Sequence, residues 1–151
     1  MSDAANTEFT PEELLSQAQG NATALALTTI AYLKDRGFSV DEYFAFVGQQ
    51  FAPGWEELRG RPVMDVALIA ALNMVSVGGT LRSFSGDDTR AEVLVADWPS
   101  AEVLSELGLR RSDIEPIWHI FHPIMGYLGI RYAWQRQDDA VMMTFERENA
   151  Q

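Results

Sequence analysis

The chain has 151 residues, of which 47% are hydrophobic and 22% charged, a composition typical of folded globular proteins and not of disordered ones. It contains no cysteine, which excludes disulfides, thiolate nucleophiles and cysteine-ligated metal centres. Its net charge of −11 repels nucleic-acid backbones and anionic lipid, so we expect neither nucleic acid nor a membrane as a partner.

The first residues carry neither a leader nor an anchor pattern. The start "MSDAANTEFTPEELL" lacks a basic stretch followed by an apolar one, and no run reaches the roughly 18 apolar residues that a membrane span needs. We therefore expect a disordered tail over 1–9, one α+β domain over 10–151 and a cytoplasmic location.

The first predicted helix begins at a capping box. Thr10 is placed to cap the helix, Pro11 occupies the favoured first position, and Glu13 completes the box. Apolar residues then recur close to a helical period until Gly37, a natural end, and Gly20 either divides this helix or permits close packing.

Two further helices follow in this helical N-terminal half. Ser39 with Glu42 three residues later marks the start of the second, which Pro53 interrupts. Residues 63–77, "VMDVALIAALNMVSV", are almost uniformly apolar, which predicts a helix buried on most sides.

The period then changes to that of strands. "TLRSFSGDDTRAEVLVADW" and, later, "IRYAWQRQDDAVMMTFER" each alternate apolar and polar residues around a turn, which predicts two β-hairpins. A short helix capped by Ser100 lies between them. The predicted fold is α+β, with an antiparallel sheet of about four strands from two hairpins and one face covered by helices.

Both histidines of the chain lie in "IEPIWHIFHPIMGYLGI", residues 114–130. The predicted helix begins near residue 113, with Asp113 as N-cap or Ser112 in a capping box, and Pro123 ends or kinks it about two turns later. Helical spacing places Glu115, His119 and His122 along one stripe.

The stripe has three interpretations. Glu115 and the two histidines form a catalytic acid–base group, or His119 and His122 ligate a divalent metal, or both rings are structural or line a ligand pocket. The structural interpretation is favoured, because a buried helix can satisfy each ring with a backbone carbonyl or a carboxylate, and metal binding needs further donors from another element. We expect no cofactor, and a metal at the two histidines is the less favoured alternative.

Other residues are candidates for ligand binding. Asn73 stands alone in an apolar helix, and a buried amide must be hydrogen-bonded to the backbone or to a ligand. Arginines of the hairpins, Arg82, Arg131 and Arg136, offer guanidinium groups to a carboxylate, although surface ion pairs with the abundant acids are the favoured explanation. The aromatic candidates for a pocket wall, which are core residues in the alternative interpretation, are Trp118, Tyr127, Tyr132 and Trp134.

The run "VADWPSAEVLSELGLRRSDIEPIWHIFHPIMGYLGIRYAWQRQDDAVMMTF" resembles the C-terminal half of the 2-amino-thiazoline-4-carboxylate hydrolase-like proteins and the related 4-vinyl-reductase-type small-molecule-binding domains. The family's Cys-Pro pair falls on Trp98-Pro99, and its cysteine after the last turn falls on about Met142, so both thiols are absent here. The resemblance implies a hydrophobic pocket and a hydrolase-like activity on a small carboxylate-bearing or heterocyclic substrate.

Three functions are therefore considered, of which the third is a metal-dependent enzyme that requires carboxylates from another helix to meet His119 and His122. The first is a small-molecule-binding domain that either senses its ligand or acts on it by His/Glu acid–base catalysis, and in which Asn73, the histidines and the arginines converge on one mostly apolar cavity. The second is a non-catalytic oligomeric subunit, expected as a homodimer, in which some of Trp55, Trp98, Trp118 and Trp134 are exposed.

Overall fold

The computed structural model describes residues 8–149, so most of the tail expected over 1–9 lies outside the described residues. The helices are α1 (Pro11–Asp35), α2 (Val40–Phe51), α3 (Val63–Ser76), α4 (Ala101–Glu106), α5 (Arg111–Ile114) and α6 (Phe121–Tyr127). Two 3₁₀ helices, Ala52–Leu58 and Glu115–Ile120, follow α2 and α5. The strands are β1 (Thr80–Gly86), β2 (Arg90–Ala96), β3 (Ile130–Gln137) and β4 (Ala140–Arg147).

The predicted starts of the first two helices are confirmed. Thr10 Oγ1 accepts from the amide of Glu13 at 3.1 Å, and the Glu13 carboxylate accepts from the amide of Thr10 at 2.8 Å. Ser39 accepts from the amide of Glu42 in the same way, at 3.2 Å. Gly37 follows the end of α1 with φ 71°, the left-handed conformation that glycine adopts most easily, whereas α1 runs through Gly20 without a break.

The two hairpins form one four-stranded antiparallel sheet in the order β1-β2-β4-β3, which confirms the α+β fold. β2 and β4 are the central strands, and their register pairs Ala91 with Phe145 and Val93 with Met143. These apolar residues are buried and face α3 and the segment 115–127, so one face of the sheet is covered by helices. A smaller cluster lies between α1, α2, α4 and α5.

The prediction that residues 63–77 are buried on most sides is wrong. Val66, Ala67 and Ala70 of α3 are fully buried against the sheet, but Leu68 is 50% and Leu72 is 59% exposed. An almost uniformly apolar sequence does not show which face lacks a neighbour. In the described part of the chain, no helix has the length and apolar character that crossing a membrane requires.

The predicted boundaries of the histidine helix are also wrong. Asp113 is not the N-cap but lies inside α5, where its carboxylate accepts from the amide of Arg110 at 2.7 Å. A 3₁₀ helix then contains Pro116, and Pro123 is the third residue of α6, inside a helix that continues to Tyr127. Proline is tolerated there because the first-turn amides of a helix have no intrahelical partner.

Candidate functional site

The histidine segment runs along the inner face of β3. Three of its side chains each meet an alternate residue of the strand, in antiparallel order. The contacts are a Glu115–Arg136 hydrogen bond, a His119–Trp134 ring contact at 5.7 Å and a His122–Tyr132 ring contact at 4.8 Å. The expected stripe therefore exists, and it packs the segment onto the sheet.

Glu115 is engaged with arginine and not with a histidine. Its Oε1 accepts from Nε of Arg136, and both side chains are about four-fifths buried, with 21% of each exposed. Glu115 Oε2 and Arg136 Nη2 are buried with no further partner among residues 8–149. Burial lowers the pKa of the nearby Arg111, and repulsion from Arg136 lowers it further. This carboxylate holds the segment to β3 and does not orient His119.

His119 is paired instead with Asp41 of α2. Its Nδ1 lies 2.8 Å from the Asp41 carboxylate, and both side chains are well exposed. The rings of His119 and His122 lie 5.5 Å apart, and the pKa of His122 is lowered by burial and then by the charge of His119. A histidine held by a carboxylate is an arrangement that general bases use. In the described ranges, no group of three or more His, Asp or Glu side chains is placed to hold a metal ion.

A separate cavity of about 190 Å³ lies between α1, α3 and the two 3₁₀ helices, and extends to the start of α6. Asn73 is its one polar lining residue apart from the tryptophan ring nitrogens, and the rest are aliphatic or aromatic. The histidines do not line it. The aromatic lining residues are Phe51, Trp55, Trp98, Trp118 and Phe121.

The tryptophan wall of this cavity is anchored by hydrogen bonds. Nε1 of Trp98 donates to Thr23 Oγ1 at 2.9 Å, and Thr23 donates to the Val77 carbonyl at 3.0 Å. The rings of Trp98 and Trp118 meet edge to face, with centroids 6.2 Å apart. Nε1 of Trp118 is buried with no acceptor among the described residues. The backbone carbonyl of Trp118, in contrast, accepts from the hydroxyl of Tyr132 at 3.1 Å.

Asn73 presents a free acceptor at the edge of the cavity. Its Nδ2 donates to the Ile69 carbonyl at 2.8 Å, one turn back along α3. No donor within residues 8–149 bonds its Oδ1. Asn73 is exposed to solvent, so the amide lies at the rim of the cavity and not in its depth.

The remaining candidates lie elsewhere. Tyr132, whose pKa is raised by burial, and Trp134 belong to the β3 contact with the histidines. The guanidinium of Arg59 lies over the ring of Tyr127, with Cζ 4.5 Å from the ring centroid. Arg131 pairs with Glu146 on the surface at 3.4 Å. Of the eleven residues singled out from the sequence for catalysis or ligand binding, the cavity brings together Asn73 and Trp118.

Most of the cavity wall carries no recognisable signal in the sequence. Phe51 and Phe121 were assigned no role, and Trp55 and Trp98 were considered only as interface residues. One signal was present, because Ala22 and Ala26 are small residues four apart on α1, and both line the cavity. Two small residues four apart leave space beside that face of the helix, but their spacing does not show which residues lie on the other side of that space.

The comparison with protein-family models and the search of curated proteins both found no match to this chain.

Proposed function

We propose that this protein binds a small, largely apolar molecule in the cavity between α1, α3 and the two 3₁₀ helices. The observation that carries the proposal is an aromatic and aliphatic wall with a single polar side chain, Asn73, at its rim. Binding sites for small molecules are typically apolar with a few placed polar groups.

The volume limits the ligand. A dry apolar cavity of about 150 Å³ accommodates benzene, and sites for drug-sized ligands begin near 300 Å³. At about 190 Å³, the cavity suits a single ring or a short branched chain. The hydrophobic pocket implied by the resemblance agrees with this proposal.

The proposal covers binding and assigns no reaction. The acid–base candidates lie apart from the cavity, with Glu115 bound to Arg136 and His119 bound to Asp41. A catalytic pair must reach the reacting atom within hydrogen-bond distance or through one water. Turnover in this cavity would therefore need groups other than these.

Titration with toluene, followed by NMR of the methionine methyl groups, tests the proposal. Met74 lines the cavity, so its methyl resonance should shift and saturate. Ala26→Leu fills the cavity and should abolish the shift, whereas Ala24→Leu, at an exposed position on the same helix, should not. Absence of a saturable shift in the wild-type protein would refute the proposal.

A second function, self-association, is favoured by a different observation. A groove between α3 and β1 is lined by Leu68, Leu72 and Leu81, all of them exposed. Exposed apolar patches of this kind mark interaction surfaces. None of the four tryptophans is exposed, so an interface would rest on leucines and not on the tryptophans first considered.

Light scattering during gel filtration tests this second function. We expect a homodimer that Leu72→Lys converts to a monomer, because a lysine buried in an apolar interface has no counter-ion. Leu25→Lys places the same change on the exposed side of α1, outside the groove, and should leave the dimer intact. A wild-type monomer, or a dimer unchanged by Leu72→Lys, would contradict the groove as interface.

A further inference from the structure

We propose that the cavity selects neutral one-ring molecules that carry a hydrogen-bond donor, such as phenols, through Oδ1 of Asn73. The inference rests on the proposed function, since it names the class of ligand for the same cavity. It concerns the chemistry of the rim, where one amide is the only polar side chain apart from the tryptophan ring nitrogens.

The orientation of the Asn73 amide is determined by its own helix. Nδ2 donates to the carbonyl of Ile69 at 2.8 Å, and the reversed amide would bring two oxygens together. The amide therefore presents Oδ1, which has two lone pairs and no donor from the described residues. A ligand hydroxyl or N–H is the complementary group.

A ligand without a donor gains nothing from this group. An apolar ring in the cavity offers Oδ1 no hydrogen bond in place of any water that it displaces there. A phenol occupies nearly the same volume as such an apolar ring, and its hydroxyl donates a hydrogen bond to Oδ1. Because Asn73 is exposed to water, the gain is no more than that of a single solvated hydrogen bond.

The absence of charged side chains from the cavity lining disfavours ionised ligands. No Arg, Lys or His lines it, so a carboxylate would enter without a counter-ion, in a chain whose net charge is −11. No Asp or Glu lines it either, so an ammonium group would also be unpaired. The arginines considered for a carboxylate are already paired, Arg82 with Asp139, Arg131 with Glu146 and Arg136 with Glu115.

The test measures the Kd of phenol, toluene and benzoate for three proteins, from the shift of the Met74 methyl resonance. The proteins are the wild type, Asn73→Leu and Asn21→Leu. Asn73 is a rim residue, so the leucine variant is expected to fold, which a circular dichroism spectrum checks. Asn21 is an exposed asparagine on α1, outside this cavity, and supplies the matched control.

We expect Asn73→Leu to weaken phenol binding by about 3-fold to 10-fold, the effect of one net hydrogen bond, and to leave toluene binding equal or tighter. Asn21→Leu should change neither, and benzoate should bind at least about tenfold more weakly than phenol. If toluene binds and Asn73→Leu affects both ligands equally, or benzoate binds as well as phenol, this inference is wrong while the proposed function stands. If toluene itself does not bind the wild-type protein, the proposed function fails.

Discussion

Thr23 and Trp98, which are far apart in the chain, meet in a hydrogen bond of 2.9 Å between Oγ1 and the indole Nε1. The same hydroxyl donates to the carbonyl of Val77 just after α3, at 3.0 Å. One side chain of α1 thus joins the loop after β2 to the end of α3. Both Trp98 and Val77 line the cavity, so this link holds two parts of its wall in place.

Replacing Thr23 with valine keeps the shape of the side chain and removes both hydrogen bonds. The indole N–H of Trp98 is then left without a partner in a largely buried position, and the loss costs about 1–3 kcal/mol. Chemical denaturation should show a lower unfolding free energy for Thr23→Val, whereas Thr23→Ser, which keeps the hydroxyl, should lie closer to the wild type. Equal stability of all three proteins would contradict the role of this hydroxyl.

Two glycines within helices are predicted to respond in opposite ways to alanine. At Gly48 of α2, a Cβ atom would lie 2.3 Å from the carbonyl oxygen of Ile120 and 3.0 Å from Cγ of Pro123, so Gly48→Ala forces α2 away from the histidine segment. Overpacking of this kind costs about 1–3 kcal/mol. At Gly20 of α1 a Cβ atom meets nothing within 4 Å, so Gly20→Ala should stabilise by about 0.5–1 kcal/mol. Thermal unfolding of both variants measures the contrast, and a shift of the same sign in both would contradict it.

His122 is expected to titrate below the ordinary histidine value of 6.5, since burial and the charge of His119 both disfavour its protonated form. In the window below pH 6.5 the unfolded chain binds more protons at this site than the folded one, so His122 makes the unfolding free energy rise with pH until it levels off above 6.5. NMR titration of the imidazole protons measures the pKa directly. His119→Gln should raise it without restoring 6.5, because burial, the larger cause, remains. A midpoint at or above 6.5 in the wild type would contradict the assignment.

The ion pair between Glu115 and Arg136 is predicted to stabilise the fold. Glu115→Gln leaves the largely buried guanidinium of Arg136 without its carboxylate, which should lower the unfolding free energy by about 1–3 kcal/mol. The matched control is Arg131→Met, because Arg131 and Glu146 form an exposed pair, and its effect should stay within about 0.5 kcal/mol. Denaturant unfolding compares the two, and equal effects would show that burial of the first pair has no energetic consequence.

The elements of this fold were largely predictable because their signals are local. The capping box at Thr10 and the alternation in both hairpins involve residues within a few positions of each other. Helix faces were less predictable, since the exposure of Leu68 and Leu72 depends on what packs beside α3. The histidine segment combines both cases: helical spacing predicted its stripe, but Pro116 lies in a 3₁₀ helix that periodicity does not distinguish from an α-helix.

The site was less predictable than the fold because its contacts join distant parts of the chain. Asn73 was singled out as a polar residue within an apolar helix and expected to be buried, but the structure leaves it exposed at the rim of the cavity. The partner of Glu115 lies on the second hairpin, and the cavity wall draws on α1, α3 and both 3₁₀ helices. No spacing within any one of these segments predicts that they meet.

The central position of β2 and β4 has a consequence for how the chain folds. Each hairpin closes a short turn, so each can form early and independently. Pairing β2 with β4 brings Ala96 to Ala140 and encloses the whole histidine segment in one long loop. We expect this closure to limit the rate of folding, so that substitutions at Val93 or Met143 slow refolding, and destabilising substitutions in the hairpin turns, which form before it, also slow refolding and change the unfolding rate little.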